Sequence, residues 1–205
     1  MVGQSTWKAH PHLAWAMWGL DEIEATLTSF ENNRHKHPDV TKAESVVADM
    51  RTARDAFRKS IENKSIREPK QMKEDEIRGW KAELERQWVA FEDSLQAYVE
   101  ALGKQFTEQE NVFRARADAQ SKAWQQAIEA LHKSAEHFSA NHRGELVAAI
   151  NCLESEANAS RGKLDELNRA EGASWDLMKS ALTETRAALG KAHQVVTRRF
   201  AARIA

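Results

Sequence analysis

The sequence predicts an all-α protein, built as an elongated antiparallel helical bundle or coiled coil of three arms with four to five helices. Three observations lead to this fold class. Only eight Gly and three Pro occur in 205 residues, so chain-breakers are scarce. Apolar residues recur at helical spacing along most of the chain. Each long stretch has one apolar stripe, and three arms can bury their stripes together in a single domain spanning residues 1–205.

The first two helices are predicted at about residues 11–31 and 38–66, and together they make one broken arm. Pro38 separates them, because the residue before a proline avoids helical geometry. The stripe of the first helix consists of Leu13, Ala16, Met17, Leu20, Ile23, Leu27 and Phe30. The stripe of the second consists of Ala43, Val46, Val47, Met50, Ala53, Phe57 and Ile61.

The third predicted helix is the longest and spans about residues 69–141. At about 100° per residue its apolar positions stay in one phase. They run from Ile77 through Trp80, Trp88, Tyr98 and Trp124 to Phe138. At 1.5 Å per residue this helix would be roughly 100 Å long. Four polar residues dilute the stripe and predict looser packing in the middle of the arm: Gln105, Gln109, Arg116 and Gln120.

The returning arm is predicted over about residues 145–204, after a turn at Asn141–Glu145, where Asn and Gly are typical of a helix end. Its stripe holds one phase past Gly162, Gly172 and Gly190. We therefore expect one helix, although each glycine costs about 1 kcal/mol relative to Ala. The weakest point is Ala170–Ser174, where Ser174 has the side chain to cap a new helix.

Composition excludes several classes of function. Lys and Arg number 30 against 31 Asp and Glu, so no global basic field favours binding to nucleic acid. No apolar run approaches the ~20 residues of a membrane span, and no signal-peptide pattern opens the chain. The single cysteine, Cys152, cannot form an intramolecular disulfide and is predicted to be a buried or half-buried, inert thiol. We expect a cytoplasmic protein.

No catalytic, cofactor-binding or metal-binding residues are predicted, and we expect a protein that is not an enzyme. Glu129 and His132 have the Glu-x-x-His spacing of di-iron bundles, but those bundles need two such motifs and further carboxylates. A di-metal oxidase is therefore the least favoured function. Neither a glycine-rich phosphate loop nor a nucleophile elbow occurs in the sequence.

The favoured function is a scaffold or adaptor that binds copies of itself and a protein partner, because a thin bundle has a high ratio of surface to volume. Trp15 and Trp18 lie off the core stripe of the first helix and form a second apolar patch. We expect this patch to belong to a dimer or partner surface. There are two alternatives: the helix is buried between two arms of its own bundle, or Trp7 and Trp15 close the end of the bundle.

A basic C-terminus adds a second candidate surface, made by Arg198, Arg199 and Arg203 around Phe200. Such an end can contact anionic lipid or an acidic partner, or it can simply complement the helix dipole. The alternative function is accordingly the coating of a membrane or granule surface with peripheral membrane contact. In that respect the layout resembles BAR and phasin bundles, by size and arrangement alone and without a shared motif.

Overall fold

A computed structural model describes residues 11–33, 40–65, 74–102, 106–170 and 172–204. Within these ranges the chain forms helices and no strand, so the all-α class is confirmed. The helices are α1 (Pro11–Asn33), α2 (Val40–Ser65), α3 (Glu74–Leu102), α4 (Phe106–Ala135), α5 (Ala140–Arg169) and α6 (Trp175–Ile204). The described part of the chain therefore has six helices where four to five are predicted.

The chain divides into two compact units. The first unit is Ala16–Arg116, and the second comprises Met1–Trp15 and Ala117–Ala205. The first unit thus contains most of α1, all of α2 and α3, and the beginning of α4. The second contains the rest of α4 with α5 and α6. The single domain over residues 1–205 stays a prediction.

In the first unit α1 and α2 lie side by side in opposite directions. Arg58 on α2 forms an ion pair with Glu24 on α1, and Arg51 lies 2.6 Å from Glu31. Higher residue numbers on one helix therefore meet lower numbers on the other. In the predicted broken arm, α2 would continue beyond the end of α1. The contacts between α1 and α2 do not fit that arrangement, because the two helices lie beside each other.

The chain also reverses between α3 and α4, so the prediction of one continuous helix over residues 69–141 is wrong. Arg116 on α4 pairs with Glu92 on α3. In a continuous helix these residues would be about 36 Å apart at 1.5 Å per residue. Residues 103–105 lie outside the described chain. The sequence has Gly103 there, and glycine is the residue that most often follows a helix C-terminus.

In the second unit α4 is followed by a turn and by the antiparallel pair of α5 and α6. Lys163 on α5 pairs with Glu184 on α6. The predicted turn at Asn141–Glu145 is wrong, because these residues belong to the first turns of α5. The chain turns at residues 136–139 instead, where the ring of Phe138 packs edge-to-face on Phe200 at 5.7 Å. Phe138 lies in this turn, whereas Gly144 lies inside α5.

The last arm is two helices, and it breaks at the point that the sequence marks as weakest. Gly172 has φ +73°, a left-handed conformation that favours glycine. Ser174 Oγ accepts a hydrogen bond from the backbone N–H of Leu177 at 3.3 Å, which is helix capping. The prediction of one unbroken helix is therefore wrong at Gly172, whereas Gly162 and Gly190 do lie inside helices.

Cys152 is exposed, so the prediction of a buried or half-buried thiol is wrong. Ile150 and Leu153 are fully buried and define the core face of α5. At about 100° per residue Cys152 points some 200° from Ile150, away from the core. Proximity in sequence to Leu153 does not bring it onto the same face.

No helix in the part of the chain that the structure describes is long and apolar enough to cross a membrane.

Candidate interaction surfaces

The tryptophans at the start of the chain are placed only in part. The side chain of Trp15 lies outside the described residues, while Trp18 is half-buried and takes part in a contact. Beside it, Gly19 faces Phe57 on α2 and Trp88 on α3. A Cβ added at Gly19 would lie 3.2 Å from Phe57 Cζ and 3.5 Å from the ring of Trp88. Because α1 packs this closely on its neighbours, the patch predicted around Trp18 is partly covered.

The solvent side of α6 is a better defined surface. We call it the outer face of α6 and define it by the exposed residues Asp176, Leu177, Ser180, Thr183, Glu184, Ala187, Lys191, Val195, Arg198, Arg199 and Ala202. Leu177 is 53% exposed and Val195 is 51% exposed. They are 18 residues apart, which is five helical turns at about 3.6 residues per turn, so both side chains point the same way. Among the described residues Val89 on α3 is the other large apolar side chain this exposed.

The charges on the outer face of α6 are separated by sign along the helix. Asp176 and Glu184 lie in its first half, and Lys191, Arg198 and Arg199 lie in its second half. The predicted basic end is thus exposed at Arg198 and Arg199, while the side chain of Arg203 lies outside the described residues. Cations in the last turns of a helix are also favoured by its dipole.

Glu184 is the residue of this face with the clearest partners inside its own chain. It pairs with Lys163 on α5 and accepts a hydrogen bond from Ser180 Oγ at 3.0 Å. These hydrogen bonds hold the pKa of Glu184 below its ordinary value. The carboxylate therefore stays charged at neutral pH.

A buried ion network joins three helices of the first unit. Arg116 on α4 is 2% exposed and Glu22 on α1 is 1% exposed. Arg116 Nε donates to Glu22 Oε1 at 2.7 Å, and the same guanidinium pairs with Glu92 on α3. The guanidinium carbon lies 5.9 Å from the centre of the Trp88 ring, within cation–π range. Burial by itself lowers the pKa of Arg116, but the two carboxylates outweigh it and raise the pKa above the ordinary value.

The buried polar side chains of α4 correct one expectation from the sequence. Gln105, Gln109, Arg116 and Gln120 are predicted to loosen the packing of the long arm. Gln105 lies outside the described residues, and the other three are buried. Gln120 Nε2 donates to the backbone oxygen of Leu182 at 3.0 Å, and Thr185 Oγ1 donates to Gln120 Oε1 at 3.0 Å. A charged or amide residue at a core position of a helix indicates that its side chain has a buried polar partner. The spacing of the apolar residues does not show which residue that partner is.

His193 is a further buried polar side chain, on α6 in the second unit. It is 2% exposed, and its ring lies edge-to-face with Trp124 at 6.1 Å. Burial lowers the pKa of His193 to about 4. The imidazole is therefore neutral at physiological pH and contributes to packing.

A groove of about 320 Å³ lies between α4, α5 and α6 in the second unit. Its lining includes the buried side chains of Trp124, Leu164 and Leu189 and the more exposed side chains of Glu129 and Arg161. Glu129 is exposed and His132 is half-buried, so neither side chain lies on the buried face of α4. No group of three His, Cys, Asp or Glu side chains among the described residues is arranged to hold a metal ion.

Comparisons of this chain with protein-family models, with curated proteins and with solved structures gave no match.

Proposed function

We propose that the protein is a non-catalytic helical scaffold that assembles with copies of itself and offers the rest of its surface to a partner protein. The observation that carries this proposal is the pair of half-exposed apolar side chains, Leu177 and Val195, on one face of α6. The two side chains lie about 27 Å apart along the helix at 1.5 Å per residue, and most of the exposed residues between them are polar or charged. Mixed polar and apolar surfaces of this kind are typical of protein interfaces that form and dissociate. Association would remove both side chains from water.

The buried polar groups favour a structural rather than a chemical role. Arg116 forms ion pairs with both Glu22 and Glu92 inside the first unit. A general acid or base must reach the proton that it transfers, and Arg116 and Glu22 are almost fully enclosed. Their pairing supports the alignment of α1, α3 and α4 around one centre.

A second candidate function is the coating of an anionic membrane or granule surface. One specific observation favours it: residues 185–205 contain five basic residues and no Asp or Glu. The basic residues are Arg186, Lys191, Arg198, Arg199 and Arg203. Each basic residue near an anionic membrane contributes about 1 kcal/mol. In either case a cytoplasmic protein is proposed.

Two measurements on the full chain separate these functions. Sedimentation velocity over a wide range of protein concentration should show a shift from monomer to a larger species if the chain self-associates. Co-sedimentation with vesicles of phosphatidylserine and phosphatidylcholine should show little protein in the pellet. Strong pelleting that is abolished by salt would support the membrane function instead.

A further inference from the structure

The outer face of α6 has opposite charges in its two halves, which decides how it can pair with an identical face. In a parallel pair each charge would lie beside its own copy, so Lys191 and Arg198 would repel their equivalents. In an antiparallel pair the acidic half of one helix lies on the basic half of the other. Two-fold symmetry is the commonest arrangement of identical subunits, and an antiparallel pair of helices can have it.

We propose that α6 binds the α6 of a second copy of this chain, antiparallel and around a two-fold axis near Ala187. This inference rests on the proposed function and names the partner and the contact surface. A two-fold interface is self-complementary, because when residue i of one copy contacts residue j of the other, j also contacts i. Every contact between two different positions is therefore made twice.

The positions of the outer-face residues fit one such axis. Three complementary pairs have nearly the same midpoint along the helix: Asp176 with Arg198, Glu184 with Lys191, and Leu177 with Val195. By residue number these midpoints are 187, 187.5 and 186. At 1.5 Å per residue, the three midpoints therefore lie within about 3 Å of one another along the helix axis. One axis therefore brings two kinds of opposite-charge pair and one apolar pair together.

The residue at the centre suits a close approach of two helices. Ala187 is exposed, and its side chain is a single methyl group. Helices in contact have axes 8–10 Å apart, and the smaller spacings require small side chains where they cross. On each side of the centre, Leu177 of one copy then lies beside Val195 of the other copy, and the two side chains shield each other from solvent. Lys163 remains beside Glu184 and would share it with Lys191 of the second copy.

Disulfide cross-linking tests this geometry directly, in a background with Cys152→Ser so that no native thiol takes part. The single variants Leu177→Cys and Val195→Cys are oxidised with diamide, separately and as an equimolar mixture. In the antiparallel pair two copies of Cys at position 177 would be about 30 Å apart along the helix, far beyond disulfide range. We expect covalent dimers from the mixture and none from either variant alone.

The variant Ala187→Cys places a thiol at the proposed axis, so it should form a dimer with itself. A parallel pair would give the opposite pattern, with dimers from Leu177→Cys alone and from Val195→Cys alone. That pattern would overturn the proposal. Far-UV circular dichroism of each variant confirms that the helices are retained.

The affinity of the dimer gives a second, independent test. Replacing Leu177 and Val195 by Ser in the same chain should raise the dimer Kd about 100-fold, since tenfold corresponds to 1.4 kcal/mol and buried apolar anchors dominate interfaces. Val89→Ser is the matched control, because Val89 is equally exposed but lies on α3 in the first unit. It should leave the Kd unchanged.

The remaining outcomes separate this inference from the proposed function. If the wild-type chain dimerises but the cross-links fail and the double Ser variant dimerises equally well, the α6 pairing is wrong while self-association stands. If the wild-type chain is monomeric at every concentration, both are wrong. If vesicles of phosphatidylserine and phosphatidylcholine bind the chain through Arg198 and Arg199 and no dimer forms, the outer face of α6 is a lipid contact instead.

Discussion

The Nε atom of Arg116 lies 2.7 Å from Glu22 Oε1, and both side chains are buried although the residues are 94 positions apart. With Glu92 they connect α1, α3 and α4 in the first unit. Such a buried ion network gives little net stability against an apolar core, but removing one member leaves an uncompensated charge. We infer that this network fixes the alignment of the three helices more than it strengthens them.

Replacing Arg116 by Met should therefore destabilise the protein by about 3–5 kcal/mol, because Glu22 would keep a buried charge without its cation. Urea unfolding followed by circular dichroism measures this loss. Arg51→Ala is the control, since Arg51 and Glu31 form an exposed pair, and exposed pairs contribute about 0–1 kcal/mol. Equal effects of the two substitutions would contradict the account.

The triple variant Glu22→Leu, Glu92→Leu and Arg116→Met separates alignment from stability. Replacing all members of a buried network by apolar residues is often neutral or stabilising by about 1–4 kcal/mol. We expect the triple variant to be at least as stable as the wild-type chain in urea. A triple variant as unstable as Arg116→Met alone would show that the charges themselves stabilise the first unit.

His193 makes stability depend on pH in one direction. Its pKa is about 4 in the folded chain and 6.5 when unfolded. As the pH falls below 6.5, His193 binds a proton in the unfolded chain but not in the folded chain. The free energy of unfolding therefore decreases between about pH 6.5 and 4. At 1.36 kcal/mol per pKa unit the loss approaches about 3 kcal/mol. Chemical unfolding at several pH values should show a shallower decline for His193→Leu, and identical slopes would contradict this.

Replacing Gly172 by Ala should lower the stability of the protein, whereas the same change at Gly162 should raise it. Its φ of +73° is unfavourable for any residue with a Cβ, so Gly172→Ala should destabilise by about 1 kcal/mol. Gly162 lies inside α5, and an added Cβ there meets nothing within 4 Å. Gly162→Ala should stabilise by about 1 kcal/mol instead. Thermal unfolding of the two variants should give shifts of opposite sign, and shifts of the same sign would be inconsistent with the break at Gly172.

Much of the fold could be predicted from apolar spacing, but the reversals of the chain could not. The stripe from Ile77 to Leu131 stays in one phase although α3 ends at Leu102 and α4 begins at Phe106, and each of the two helices buries one face. Spacing therefore identifies core positions such as Leu84 and Phe113, both buried. It does not show that the chain folds back, which depends on tertiary contacts such as that of Arg116 with Glu92.

The candidate surfaces were predictable to a similar degree. Arg198 and Arg199 are exposed as the sequence indicates, since they lie off the stripe of α6. Leu177 and Val195 lie off that stripe too, and their spacing of five turns could have been found by examining apolar residues outside the core phase. Whether these side chains are exposed depends on which other helices pack on that face. The spacing of residues within α6 does not show this.

Sedimentation equilibrium of three chains measures whether the protein self-associates through the outer face of α6. We expect the wild-type chain and Val89→Ser to reach dimer mass with the same Kd, and the variant with Leu177→Ser and Val195→Ser to remain monomeric over that concentration range. A wild-type chain that stays monomeric, or a double variant that dimerises as tightly as the wild type, would contradict self-association through that face.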